Sequence, residues 1–212
     1  IYNGIDTKHF SPDKENKAFL TGYGLKHPII LFAGTLIPRK RADLFLEVAE
    51  QLPQYNFVLV GDGPLKKKII ETIKQKNLSN VFWIRQLSRK KMAQWFANAD
   101  CLLFPSEEEP FGKVTVEAMA SGTPVIGVNS GAFPELVEHE KTGFIAEPGH
   151  VKELVKFVKL INGNPSKARK MGLQAREKVL GYFSEPTVSR KYDEIYDCLL
   201  ETNSNNKTLN QG

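Results

Sequence analysis

From residue 29 onward the chain alternates short, unbroken apolar runs with amphipathic segments of helical length. No other feature restricts its fold as much. The runs are Ile29–Ala33, Asn56–Val60, Val81–Ile84, Cys101–Phe104, 124–128 and 144–146. Apolar runs this short, with no polar alternation, suit strands buried on both faces. The intervening segments gather their apolar residues on one side: Leu44, Val48 and Leu52 within 41–52, and Met92, Trp95 and Phe96 within 89–98. Segments 65–76 and 114–120 complete the set, the first opened by Pro64. Strands alternating with helices of about ten residues predict βαβ units. The expected fold is therefore α/β: a doubly wound, mostly parallel Rossmann-like sheet with helices on both faces. Such sheets take ligands at the carboxyl ends of their strands. Further helices are expected at 134–138, 151–160, 166–180 and 187–200, and the polar tail 202–212 is expected to be disordered.

The 212 residues are enough for one real core, and a hydrophobic content of 41% fits a soluble globular protein. No apolar run approaches the roughly 20 residues that span a bilayer. Cys101 and Cys198 give no disulfide framework, which points to a reducing cytosol. The net charge of +5 is concentrated in the basic runs 39–41, 66–68 and 89–91. These can attract phosphate or an anionic membrane surface, so the expected location is cytoplasmic, with peripheral contact at the inner membrane face. Aromatic residues are not interleaved with the basic runs and no nucleic-acid module is evident, which excludes nucleic acid as a partner. The chain opens at Ile1 inside what reads as a connection, with the turn signal Asn3-Gly4, and is expected to be a piece of a longer polypeptide.

The most informative stretch is 105–127, PSEEEPFGKVTVEAMASGTPVIG. A strand runs into an acidic loop, which opens a short helix. Glu109 lies on the loop and Glu117 about one turn into the helix, with Phe111-Gly112 between them. The free N–H groups of a helix start favour an anion, and flanking carboxylates suit hydroxyl-rich groups attached to that anion. A sugar nucleotide has this layout. A glycosidase acid and nucleophile is a second reading of two carboxylates, disfavoured by their closeness on one loop–helix unit. Gly61-Asp62-Gly63 after a strand resembles half a dinucleotide fingerprint, but Lys66 stands where the third glycine belongs. An NAD-dependent Rossmann oxidoreductase is thus an alternative, as is a non-catalytic nucleotide-binding module. Glu107 and Glu108 read as solubilising loop acids and Phe111 as a packing anchor. No ligand spacing calls for a metal.

Glu109-Pro-Phe-Gly-Lys-Val-Thr-Val-Glu117 matches the E-x7-E pattern of the family 4 retaining glycosyltransferases, the glycosyl transferases group 1. Asn3-Gly4-Ile5-Asp6, Gly34 with Lys40, Gly61-Asp62-Gly63-Pro64, Pro105-Ser106 and Glu135 follow in the same order. The chain resembles the C-terminal, donor-binding half of a GT-B enzyme over residues 1 to about 200. The resemblance implies transfer of a hexosyl group from a UDP-, GDP- or ADP-linked donor, with no further cofactor and no metal. It implies that Lys40 holds the diphosphate and, with Glu109 on the sugar hydroxyls, forms the catalytic set. Glu117 would bind the ribose, and Phe111, Gly112, Lys113 and Val114 would approach sugar and diphosphate. Gly34 and Thr35 belong to the first strand–helix turn, where the family often carries an arginine after the glycine. Arg39 is the expected substitute for it. Arg85, Gln86 and Leu87 align with the base-pocket turn, with Arg85 where glycine is usual.

The implied organisation is a lead-in at 1–28, a nucleotide-sugar-binding domain at 29–182, a helix crossing to an N-terminal acceptor domain at 183–201, and a tail at 202–212. That acceptor domain would be the chain's main protein partner. The isolated chain is expected to bind donor without transferring it.

Overall fold

The computed structural model describes residues 2–209. Six strands form one sheet: β1 (Ile29–Ala33), β2 (Asn56–Val60), β3 (Val81–Ile84), β4 (Cys101–Phe104), β5 (Val125–Val128) and β6 (Gly143–Ala146). Every neighbouring pair is parallel, and the order across the sheet is β3-β2-β1-β4-β5-β6. All positions of β1, β4 and β5 are buried, as strands covered on both faces must be.

The helices are α1 (Lys17–Thr21), α2 (Ala42–Gln51), α3 (Lys66–Gln75), α4 (Arg89–Asn98), α5 (Lys113–Ala120), α6 (Phe133–Leu136), α7 (Val151–Gly163), α8 (Pro165–Tyr182) and α9 (Glu185–Leu209). α2 packs with α3 and α7, while α4 packs with α5, and α5 with α8, forming the two covering layers. The chain winds outward from β1 to β3, then returns to the middle and winds the other way from β4 to β6. The reversal falls between β1 and β4. Loops leaving these two strands diverge there and open a crevice, the usual ligand position in open α/β sheets.

The structure departs from the expected elements in three places. Arg41 takes a left-handed conformation (φ 49°), closing a 3-10 turn at Pro38–Lys40, so α2 starts one residue later than the pattern suggests. Residues 2–28 are bound into the main core through Ile5, Phe10, Leu20 and Leu25, and α1 forms within them. The last helix does not stop near residue 200. No Gly or Pro interrupts 187–209, so nothing local ends the helix, and it continues to Leu209 where disorder was expected. The remainder of the expected tail, 210–212, and Ile1 lie outside the described residues.

Candidate functional site

The loop after β1 and the loop after β4 face each other across the switch point, tied mainly through backbone groups. Glu107 N donates to Arg39 O at 2.8 Å, Ser106 Oγ lies 3.3 Å from the same oxygen, and Arg39 Nη1 donates to Glu108 O at 3.3 Å. The loop after β5 supports them from the other side. Glu108 N donates to Ser130 Oγ at 3.0 Å and Ala132 N to Glu109 O at 2.8 Å.

This lacing brings Lys40 to Glu109. Lys40 is only 9% exposed, its ammonium bonded to Glu109 Oε2 and lying 4.9 Å from the centre of the Phe104 ring. Ser106 Oγ donates to the same carboxylate oxygen at 3.1 Å, and Arg39 Nη1 stands 3.8 Å from it. An isolated reading of Lys40 is an exposed lysine; its burial follows from the 3-10 turn, which aims it inward at an acid. Arg39, by contrast, is exposed. Arg41 and Glu107 form a second ion pair across the crevice. Glu107 is therefore more than a solubilising acid, because the basic run 39–41 faces the acidic loop once β1 and β4 are neighbours.

Gly112 (φ 75°) caps the start of α5 in a conformation that favours glycine. The first amides of α5, at Lys113 and Val114, have no acceptor one turn back, as at any helix start. Phe111 packs as an anchor: its ring stacks on Tyr2 at 5.9 Å and meets Phe183 edge-on at 6.2 Å. Lys113 is exposed and reaches within 4.0 Å of Glu117. The Glu117 side chain is only 14% exposed. Burial raises its pKa above the ordinary carboxylate value, with Lys113 and Arg89 opposing.

Glu117 lines a cleft of about 360 Å³. Gly34 and Thr35 form one wall, Arg85, Gln86 and Leu87 another, and Val114 the start of the helix side. Of the remaining expected site residues, Arg39, Lys40, Glu109, Phe111, Gly112 and Lys113 sit on the loops just described, at the carboxyl ends of β1 and β4. At the cleft's back, Gly61 could carry no side chain: a Cβ there would lie 2.1 Å from Gly34 O. Asp62, read from the sequence as part of a turn, accepts from Arg85 Nε at 2.6 Å, and this pairing lowers the Asp62 pKa and raises that of Arg85. Met92 and Phe96, read as a helix's core face, also reach this cleft. Ser106, Ser130 and Asp62 are the members that sequence reasoning missed. Ser106 and Asp62 carried a signal, as parts of the motifs Pro105-Ser106 and Gly61-Asp62-Gly63-Pro64, and Ser130 carried none.

A larger hollow of about 590 Å³ lies elsewhere, lined by His27, Asp100, Ser121, Asn162 and Arg169. It sits where the chain enters β1, β4 and β5, at the opposite end of the sheet from the loops that carry the charged pairs. Size alone therefore does not mark the site. Among the described residues no group of three His, Cys, Asp or Glu could hold a metal, and no helix is long and apolar enough to cross a membrane.

Comparison with known proteins identifies the family. The chain is 27% identical over 203 residues to a sulfoquinovosyl transferase of Arabidopsis thaliana, matching 93% of this chain and 39% of that one. It superimposes on Anabaena HepE, solved in complex with UDP, with a TM-score of 0.85 and 26% identity, covering 93% of this chain and 57% of that one. The C-terminal domain of a group 1 glycosyl transferase from Francisella tularensis shares the fold over its full length, with a TM-score of 0.77 at 23% identity and 86% of this chain covered. The chain spans about half or less of the length of the first curated relatives it matches. The model of the glycosyl transferases group 1 matches residues 13–178, and the chain belongs to that family, as a unit resembling the C-terminal domain of its GT-B enzymes.

Proposed function

We propose that residues 29–182 form the donor-binding domain of a retaining family 4 glycosyltransferase, holding a nucleoside diphosphate sugar in the crevice between the β1 and β4 loops. The observation that carries this reading is one convergence. A shielded carboxylate, Glu117, and the helix start at Val114 line one cleft of about 360 Å³, and a buried cation, Lys40, lies on the same β1 loop whose Gly34 and Thr35 form a wall of that cleft.

In this reading the base lies against Arg85, Gln86 and Leu87, and the ribose diol donates to Glu117. Few neighbouring donors satisfy that carboxylate, and its burial favours a bound hydroxyl partner. The diphosphate meets Lys40, with Arg39 beside it, and the amides of Lys113 and Val114. These groups are fixed before the bond to the sugar breaks and stabilise the negative charge that grows on the leaving diphosphate. Glu109 orients the sugar hydroxyls. Protein cations neutralise the leaving group, so the scheme needs no metal.

Acceptor binding, and with it transfer, belongs to an N-terminal domain reached through residues 1–28 and α9. Tyr192, Ile195, Tyr196 and Leu199 expose an apolar stripe on α9, which supports a docking role for residues 183–201. Exposed Lys67, Lys68 and Lys74 on α3, and Lys76 just after it, support peripheral contact with an anionic, cytoplasm-facing membrane.

The oxidoreductase alternative fits the geometry poorly. Gly61 and Gly63 are packed against Gly34 and Leu36, where a Cβ on Gly63 would lie 2.8 Å from Leu36 N, so this turn is filled by protein. Calorimetric titration with UDP, GDP, ADP and NAD tests the proposal. One of the diphosphates should bind and NAD should not. Glu117→Gln should weaken that binding by about 1.5–3 kcal/mol, the range for a hydrogen bond to a charged group. Binding of NAD alone, or an unchanged affinity in Glu117→Gln, would overturn it.

A further inference from the structure

Resting on the donor-site reading above, we infer that Glu109 is an internal counter-anion that makes the site prefer a nucleotide carrying its sugar over the bare diphosphate. The ammonium of Lys40, the cation best placed for a diphosphate, is already bonded to Glu109 Oε2. That one oxygen also accepts from Ser106 at 3.1 Å and faces Arg39 Nη1 at 3.8 Å. Three donors from two loops therefore converge on a single carboxylate oxygen. Among the described residues no hydrogen bond reaches the other oxygen, Oε1.

The carboxylate cannot be carried away by its backbone. Glu109 O accepts from Ala132 N at 2.8 Å, and the loop is so close that a Cβ on Gly131 would lie 2.5 Å from Glu109 N. Side-chain exposure is 11% for Lys40 and 14% for Glu109, so solvent screens the pair weakly. A bare diphosphate must share Lys40 with this carboxylate and lie beside its negative charge. Both effects oppose binding. A sugar on the same diphosphate changes the balance, because its hydroxyls donate to the open Oε1 and stabilise the charge that repels the phosphate. Glu109 then discriminates the intact donor from the nucleoside diphosphate left after transfer, and it weakens the hold on that product.

The test is calorimetry on the full chain with UDP, GDP and ADP, and with UDP-glucose, GDP-mannose and ADP-glucose. Wild type is compared with Glu109→Gln, Glu109→Asp and Lys40→Met, each checked by circular dichroism for native helix content. Glu109→Gln keeps the shape and removes the charge. It should bind the bare diphosphate about tenfold more tightly than wild type, on the scale of one charge-assisted hydrogen bond. It should also lose most of the preference for the sugar-linked form. Glu109→Asp retains the charge and should retain weak diphosphate binding, a split that a merely structural role would not produce. If Glu109→Gln binds the diphosphate no more tightly than wild type while Lys40→Met loses it, the counter-anion is refuted and the donor site stands. If wild type binds none of the three diphosphates and none of the three sugar-linked forms, both fall.

Discussion

Lys40→Met is the most informative single change, because it tests the stability and the function of one buried contact together. Methionine approximates the apolar stem of lysine and removes the ammonium that lies 4.9 Å from the centre of the Phe104 ring. Glu109 is then left with a side chain 14% exposed, one hydroxyl at 3.1 Å and Arg39 at 3.8 Å. Removing one partner of a buried ion pair costs about 3–5 kcal/mol. Here Arg39 can move closer and the pair lies at a crevice mouth, so about 2 kcal/mol is expected. For a chain of this size that lowers Tm by about 4–8 °C. The double variant Lys40→Met/Glu109→Gln removes both charges and should recover about half of the loss, a coupling of about 1 kcal/mol. Urea denaturation of the four proteins, with and without the bound diphosphate, measures each quantity. The expected pattern is a destabilised Lys40→Met that the diphosphate no longer stabilises. Wild-type stability in Lys40→Met, or strictly additive losses in the double variant, would show that the contact carries no energy and refute the reasoning.

Two further outcomes concern the frame around the site. His27 Nδ1 lies 2.7 Å from Asp100 Oδ2, and this hydrogen bond raises the His27 pKa against the opposing effect of burial. The paired form stabilises the fold fully below the ordinary value of 6.5 and is lost as pH rises through the raised folded value. The imidazole is more than half exposed, so the contribution should stay under about 1 kcal/mol. Asp100→Asn retains an acceptor for Ile29 N and should flatten the stability profile in that window; an unchanged slope in chemical denaturation would contradict it. In α8, a Cβ on Gly172 would lie 1.9 Å from Gly122 O, and on Gly181 it would meet nothing within 4 Å. Gly172→Ala should therefore lose about 1–3 kcal/mol as α8 is pushed off the turn that follows α5, while Gly181→Ala should be neutral or gain up to about 1 kcal/mol. Equal thermal midpoints for the two variants would contradict the packing.

What the sequence revealed and what it hid divide along a physical line. Strand positions were legible because burial on both faces leaves runs such as Ile29–Ala33 without polar interruption, a signal carried within five residues. The two glutamates were legible because Glu117 lies on the helix that the Glu109 loop opens, so one local stretch fixes both. Strand order is different in kind. Nothing within β1 or β4 states that they are neighbours, and the pairing of Lys40 with Glu109, 69 residues apart, exists only because they are. The same holds for Glu107, which read as a solvated acid until β1 and β4 brought Arg41 against it. The last helix was legible over 187–200, and it runs on to Leu209 because the polar residues after 200 include none that breaks a helix. Phe111 sits between these cases. Its aromatic ring in an acidic loop marked an anchor, but its partners, Tyr2 and Phe183, come from opposite ends of the sequence. They meet because Ile5 N donates to Phe183 O at 2.8 Å and Glu185 N returns to Ile5 O at 3.1 Å, which joins the incoming segment to the start of α9. The residues proposed for the site were thus named from one local motif and the family resemblance it carries, whereas the contacts that hold their charges in place depend on which strands lie side by side.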